Sequence, residues 1–217
     1  MSTAYILNVK RTPGGKAPHG QLCSVRPDDL AATVIRSLIE ESDIDPALLD
    51  DVILGCAFPE AEQGMNVARI AALRAGVPVE VPAMTINRFC SSGLQAIALA
   101  AERIAAGQAD CIMAGGTESM SMIPMGGHKF SANPRLVSDW PETYAAMGIT
   151  AELLADKYGI GREDSDRFAM RSHQLAAAAQ EHGRFVDEIV PVSAMGVPGL
   201  VDRDEGVRPE TTIQALA

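Results

Sequence analysis

The residue best suited to carry out a chemical reaction in this sequence is Cys90, in the stretch Phe89-Cys90-Ser91-Ser92-Gly93. An apolar, β-prone run precedes it and a helical pattern follows it. The first N–H groups of a helix lack intrahelical partners, and this end of the helix dipole is partly positive. Both features favour the thiolate, which is the nucleophilic form of cysteine. The position therefore predicts a nucleophile at a strand-to-helix corner. The alternative is a small buried hydrophobic residue, a common role of free cysteines.

The segments around Cys90 are predicted to form a strand–helix–strand unit. Apolar runs predict strands over Val81–Ile86 and Cys111–Ala114. Between them, apolar residues recur at helical spacing and predict one buried helix face. The residues of that face are Leu94, Ile97, Ala98, Ala101, Ile104 and Ala105. Gly107 follows at the point where a glycine would end the helix.

Strands and helices also alternate before this unit. Ala4–Val9 is a predicted strand and Asp51–Gly55 a predicted buried strand. A helix is predicted to begin at Pro27, because proline suits the first turn and the acids that follow suit its positive end. A short helix is predicted over Asn66–Ala75. This alternation predicts the α/β class.

The texture of the sequence changes after Met120. A loop rich in glycine, proline and methionine leads to predicted helices over Thr143–Tyr158 and Arg162–Phe185. Val186–Val192 is a last candidate strand. Long loops in compact proteins are often functional, so this part of the chain is predicted to form a surface excursion with a functional role.

Composition excludes several function classes. The chain has 217 residues, 47% of them hydrophobic, and a net charge of −10, which argues against a general nucleic-acid-binding surface. The cysteines and histidines show no metal-binding spacing, so no metal site is predicted. No segment approaches the roughly 18 apolar residues of a membrane span. Without a signal peptide, we expect a reduced, cytoplasmic setting.

Five segments together resemble the thiolases, enzymes that form and cleave thioesters of coenzyme A. The matching segments are RTPGGK at 11–16, INRFCSSGLQAI at 86–97, AGGTESMS at 114–121, MGITAE at 147–152 and GRFVDEIVPV at 183–192. These matches occur in order over nearly the whole chain. The resemblance implies a layered α-β-α fold with an inserted, mostly helical loop domain. It places the N-terminal α/β domain at residues 1–119 and most of the CoA-covering loop domain at 120–217.

The resemblance also implies roles for individual residues. Cys90 would accept the acyl group as a thioester, and its backbone N–H would form part of an oxyanion hole. Met147 would border the acyl or pantetheine pocket, although a core methionine on a helix is the alternative. The substrates would be acyl-CoA and CoA, with no further cofactor. The assembly would be a homodimer or homotetramer, with subunits meeting near the strand that precedes Cys90.

Two motifs of the thiolase family are missing from this sequence. Three hypotheses about the chain therefore stay open. The family carries an activating histidine in Gly-His-Pro and a second cysteine in Cys-x-Gly, and this sequence has neither. The chain is therefore expected to be truncated at its C-terminus. The first hypothesis is that the chain derives from a 3-ketoacyl-CoA thiolase. The second is that it is a non-catalytic half that binds partner chains or CoA. A related ketoacyl synthase is the third hypothesis, although Arg-Phe-Cys-Ser-Ser-Gly fits thiolases better. Ala146, where some biosynthetic thiolases have histidine, favours the degradative type.

Overall fold

A computed structural model describes residues 3–217 as two compact units. The first contains residues 3–128 and 186–206, and the second contains residues 129–185 and 207–217. The chain thus leaves the first unit, forms most of the second and returns. The functional boundary between residues 119 and 120 stays a prediction.

The first unit contains a three-stranded parallel sheet. β1 (Asp51–Gly55) lies in the centre, between β2 (Ala83–Ile86) and β3 (Ile112–Gly116). All five residues of β1 are buried, as expected for the central strand of a covered parallel sheet. The carboxyl ends of the three strands are aligned, because Gly55 pairs with both Ile86 and Gly116. The three strands predicted in this part of the chain and the α/β class are confirmed.

Three helices accompany this sheet: α1 (Pro27–Ser42), α2 (Val67–Ala75) and α3 (Ser92–Ala105). Asn66 caps α2 by accepting the Arg69 N–H through its side chain. Small residues line the face that α2 buries, which allows it to lie close to α1 and β1. The buried core that they form contains Ala31, Ile35, Leu49, Val52, Leu54, Ala68, Ala71, Ala72, Val77 and Val81.

The buried face of α3 differs from the predicted one. Its buried residues are Ser92, Ala96 and Ala100, whereas Leu94 is 72% exposed and Ile97 43% exposed. The prediction was wrong because α3 is apolar on more than one side. Periodicity alone cannot choose between two apolar faces, and here the smaller side chains lie inward. Gly107 follows the end of α3 with a φ of 68°, as a helix-terminating glycine does.

The predicted strand at Ala4–Val9 is not formed within residues 3–217. Its apolar side chains are exposed, Tyr5 at 78% and Leu7 at 74%. Backbone pairing begins only at Arg11, whose N–H donates to the Glu188 carbonyl (2.8 Å). A β-prone sequence becomes a strand only where a neighbouring backbone pairs with it.

The predicted strand at Val186–Val192 is also wrong for most of its length. Only its last residue is in a strand, in the short β4 (Val192–Ser193). β4 pairs in antiparallel fashion with β5 (Leu200–Val201). Leu22 packs with this hairpin in a second, small core cluster.

The loop that begins at Arg11 is attached to residues 202–206 by charged side chains. The Arg11 guanidinium binds both carboxylate oxygens of Asp204, at 2.6 and 2.9 Å, and its Nε donates to Glu188 (2.6 Å). Asp204 also accepts the Gly14 N–H at 2.7 Å. The hydrogen bonds from Arg11 hold the pKa of the Asp204 carboxyl below its usual range. Bidentate pairing of this kind fixes orientation as well as distance.

The second unit is mostly helical, as the sequence predicts. Its helices are α4 (Pro134–Asp139), α5 (Met147–Tyr158), α6 (Arg162–Glu181) and α7 (Ile213–Leu216), with a 3-10 turn at Pro141–Tyr144. His173, on α6, accepts the Arg208 N–H at 3.2 Å. Across residues 3–217, no helix combines the length and the apolar character that crossing a bilayer would require.

Candidate active site

Cys90 lies on a tight turn between β2 and α3, as the sequence predicts. The residue before it, Phe89, has a φ of 45°. This value lies in the left-handed region, which residues other than glycine seldom adopt. The Ser92 hydroxyl holds the turn closed, accepting the Arg88 N–H (2.8 Å) and donating to the Phe89 carbonyl (2.6 Å). Strained residues of this kind cluster at functional sites. Cys90 itself is exposed, which excludes the alternative of a buried hydrophobic residue.

The Cys90 N–H differs from the N–H groups that follow it, which are used within the turn. The N–H groups of Ser91 and Ser92 donate to the carbonyls of Arg88 and Phe89. Within residues 3–217, no backbone or side-chain acceptor has hydrogen-bonding geometry to the Cys90 N–H. That N–H, at the beginning of α3, is therefore available to a developing negative charge. Its role in an oxyanion hole stays a prediction.

Glycines at the ends of two strands allow the first turn of α3 to approach the sheet. A Cβ on Gly55, the last residue of β1, would lie 2.4 Å from the Ser92 carbonyl carbon and 2.6 Å from the Gly93 nitrogen. A Cβ on Gly116 would lie 3.0 Å from the Gly55 carbonyl oxygen. Only a residue without a side chain fits at Gly55. The position of the Cys90 turn thus depends on a glycine far from it in sequence.

The sequence does not predict a buried polar cluster that forms around Gln63. Gln63 is fully buried, and its side-chain amide donates to the Glu118 carboxylate (2.6 Å) and the Phe58 carbonyl (2.9 Å). The same amide lies 3.3 Å from the Cys56 sulfur. Gln63 ends a 3-10 turn at Ala61–Gln63, and nothing in the local sequence marks it. The TES motif that contains Glu118 was the available signal.

Cys56 differs from Cys90 in its exposure to solvent. It is 1% exposed, and burial together with the nearby negative charge of Glu118 raises the pKa of its thiol to about 11. Burial also raises the pKa of Cys111, with a smaller contribution from Asp50. Both thiols therefore stay protonated in neutral solution and are predicted to be unreactive packing residues.

We expect alkylation to distinguish the four cysteines. With iodoacetamide at pH 8, Cys90 should be modified first and Cys56 last, by a factor of at least about a hundred in rate, because Cys90 is exposed whereas Cys56 is buried and the pKa of its thiol is raised to about 11. Peptide mass spectrometry over a time course measures each rate. A Cys90→Ala variant is the control and should lose only the fastest adduct. Even labelling of all four cysteines would refute a special reactivity of Cys90.

Met147, the second predicted site residue, begins α5 in the second unit and is 61% exposed. This exposure contradicts the alternative of a core methionine on a helix. Contact between Met147 and the acyl or pantetheine portion of a substrate stays a prediction.

A cavity of about 220 Å³ lies elsewhere in the first unit. Residues 10–12, part of α1 and residues 113–118 line it, and Cys90 does not. Over residues 3–217, no group of three or more His, Cys, Asp or Glu side chains is arranged to hold a metal ion.

Comparison with known proteins gives a consistent assignment. A family model described as the thiolase N-terminal domain matches residues 4–217. A 3-ketoacyl-CoA thiolase from Bacillus subtilis is 49% identical over the whole chain, which covers 58% of that protein. A β-ketoadipyl-CoA thiolase from Acinetobacter baylyi is 46% identical, with 59% of its length covered, and a 3-ketoacyl-CoA thiolase from Erwinia tasmaniensis is 44% identical, with 57% covered. The chain spans less than three fifths of these relatives. It belongs to the thiolase family.

Proposed function

We propose that this chain supplies the nucleophile-bearing part of an acyl-CoA C-acyltransferase that cleaves or forms 3-ketoacyl-CoA. The observation that carries this proposal is the exposed Cys90 on a strained turn at the beginning of α3, in a chain of the thiolase family. The names of its relatives, 3-ketoacyl-CoA and β-ketoadipyl-CoA thiolases, support this substrate class.

In the cleavage direction, the Cys90 thiolate attacks the 3-keto carbon of the substrate. The bond between C2 and C3 then breaks, and its electron pair remains on C2. An acid of the complete enzyme, outside the described residues, protonates C2; this gives acetyl-CoA and leaves the shortened acyl group on Cys90 as a thioester. The thiol of CoA attacks this thioester, releases the shortened acyl-CoA and returns the Cys90 thiol. In this proposal, the Cys90 N–H stabilises the oxyanion formed at each attack.

A second candidate function is a non-catalytic half that binds CoA or a partner chain. The exposed apolar side chains of residues 5–9 and of α3 are compatible with a covering polypeptide.

One experiment separates these functions. Thiolysis of acetoacetyl-CoA is measured with the chain alone and with the chain mixed with the remaining, C-terminal part of the Bacillus subtilis relative. We expect activity only in the mixture, where the chain contributes Cys90. Activity of the chain alone would refute the non-catalytic half. No activity in the mixture, together with no acetyl group on Cys90 after incubation with acetyl-CoA, would refute the acyltransferase.

The remaining properties belong to the same proposal. We propose a homodimer or homotetramer, because β2 is an edge strand of the sheet and can pair with another copy. We propose that no cofactor is needed beyond CoA as a substrate, since each step above uses only cysteine and thioester chemistry. A reduced, cytoplasmic setting would keep all four cysteines as free thiols.

A further inference from the structure

The side chains of Asn87 and Glu118 connect the loop after β1 to the Cys90 turn. The backbone of Ala57, in that loop, is held on both sides: its N–H donates to Glu118 Oε2 (2.6 Å) and its carbonyl accepts from Asn87 Nδ2 (2.9 Å). Asn87 Oδ1 then accepts the Phe89 N–H at 2.8 Å. A continuous chain of hydrogen bonds thus runs from Glu118 to the residue before Cys90.

The far end of this chain is anchored in the protein interior. Gln63 is fully buried and donates to Glu118 Oε1 (2.6 Å), while its own Oε1 accepts the Ser119 N–H (2.5 Å). Leaving a buried amide without its partners costs the full desolvation penalty, so Gln63 is held in one position. The Glu118 carboxylate is therefore held in place, although Glu118 as a whole is exposed.

The turn needs such support because Phe89 is in an unfavourable conformation. A residue with a side chain pays about 1 kcal/mol or more in the left-handed region. Ser92 closes the turn from within, and the rings of Phe58 and Phe89 are in contact, with centroids 6.2 Å apart. The bond from the Phe89 N–H to Asn87 acts directly on the strained residue and links it to the rest of the unit.

We propose that Asn87 and Glu118 are positioning residues that hold Phe89 in its left-handed conformation and so keep Cys90 at the N-terminus of α3. This inference rests on the proposed role of Cys90 as the nucleophile. Both residues act through the backbones of Ala57 and Phe89 and not on the thiol.

The test is the rate of iodoacetamide alkylation of each cysteine in the 217-residue chain. In Asn87→Ala, we expect the Cys90 rate to fall about tenfold, because the loss of two hydrogen bonds releases the turn from the helix N-terminus. Asn87→Ser places a neutral acceptor within reach of the Phe89 N–H, as a Ser turn does, and should return the rate to within about threefold of the parent chain. If Asn87 only stabilised the fold, serine at this position would not restore the Cys90 alkylation rate. Cys111, in the same unit, should keep its slow rate throughout.

Glu118→Gln tests the other end of the chain of hydrogen bonds. Glutamine has the same size as glutamate but only one acceptor oxygen. The Ala57 N–H and the Gln63 amide each need an acceptor, so one of them loses its partner. We expect the Cys90 rate to fall about threefold, since one bond is lost and the anchor is weakened.

The matched control is Asn133→Ala, in the second unit. Asn133 also accepts two backbone N–H groups through its side chain, from Arg135 (2.9 Å) and Leu136 (3.2 Å). This variant loses the same kind of bonds and should leave the Cys90 rate unchanged.

Two results would overturn the proposal. One is a Cys90 rate that stays at the parent value in both Asn87→Ala and Glu118→Gln. The other is an increase in the Cys111 rate in these variants, which would show general loosening of the unit. Alkylation reports the geometry of the turn, whereas acetyl transfer from acetyl-CoA reports the proposed function. A parent chain with fast Cys90 alkylation and no acetyl transfer, even when mixed with the C-terminal part, would therefore refute the function and not the positioning role.

Discussion

Replacing Cys90 with alanine is expected to abolish acetyl transfer from acetyl-CoA to the protein and to reduce thiolysis at least about a thousandfold. The reason is that no other thiol in the described residues is equally exposed. Cys56 and Cys111 are held protonated by their raised pKa values, and Cys23 is half-buried. Replacement with serine should cause a comparable loss, because a neutral hydroxyl is a much weaker nucleophile than a thiolate.

The measurement uses the chain mixed with the C-terminal part of the Bacillus subtilis relative. Intact-protein mass spectrometry detects the acetyl group, and loss of acetoacetyl-CoA reports thiolysis. Cys23→Ala is the control, because it removes a thiol outside the Cys90 turn, and it should retain activity within about twofold. An acetyl group found on Cys90→Ala at the parent level would show that another residue is the acceptor.

Replacing Gly55 with alanine is expected to destabilise the first unit by about 3 kcal/mol, because the new methyl group overlaps backbone atoms that cannot move independently. The overlap is with the Ser92 carbonyl carbon at 2.4 Å and the Gly93 nitrogen at 2.6 Å. To relieve it, the first turn of α3 must move away from β1. This movement displaces Cys90, so its fast alkylation should also be lost.

Gly115→Ala provides a matched control on the adjacent strand. Gly115 lies on β3 opposite Leu54, and the nearest atom to an added Cβ there is Leu54 Cδ2 at an ordinary 3.9 Å. Its effect on the free energy of unfolding should stay within about 1 kcal/mol. Urea unfolding followed by circular dichroism gives both values. Equal stability of the two variants would contradict the close approach of α3 to Gly55.

The sequence by itself determined the strands near the site and the position of Cys90 at a strand-to-helix corner. Asp51–Gly55 and the run before Cys90 are short, apolar and bounded by turn residues, so their local pattern is sufficient. The same is true of the ends of the helices: Pro27 begins α1, and Gly107 adopts the positive φ that follows α3. The corner that contains Cys90 follows from these local signals, and the family resemblance followed from motifs that are contiguous in the chain.

Only the tertiary structure decided how the Cys90 corner is built. The buried face of α3 is its small-residue side, with Ser92, Ala96 and Ala100 inward, and its first turn lies against Gly55, where a side chain does not fit. The apolar segment at residues 4–9 is no strand within the described chain, because a strand exists only with a paired backbone.

The support of Cys90 by Asn87 and Glu118 was equally inaccessible from the sequence. It runs through hydrogen bonds between residues 30 and 61 positions apart, Asn87 with Ala57 and Glu118 with Ala57. No local pattern records such pairs, since they depend on the sheet that brings the ends of β1, β2 and β3 to one edge. Local propensity therefore located the thiol, and long-range packing determined its conformation.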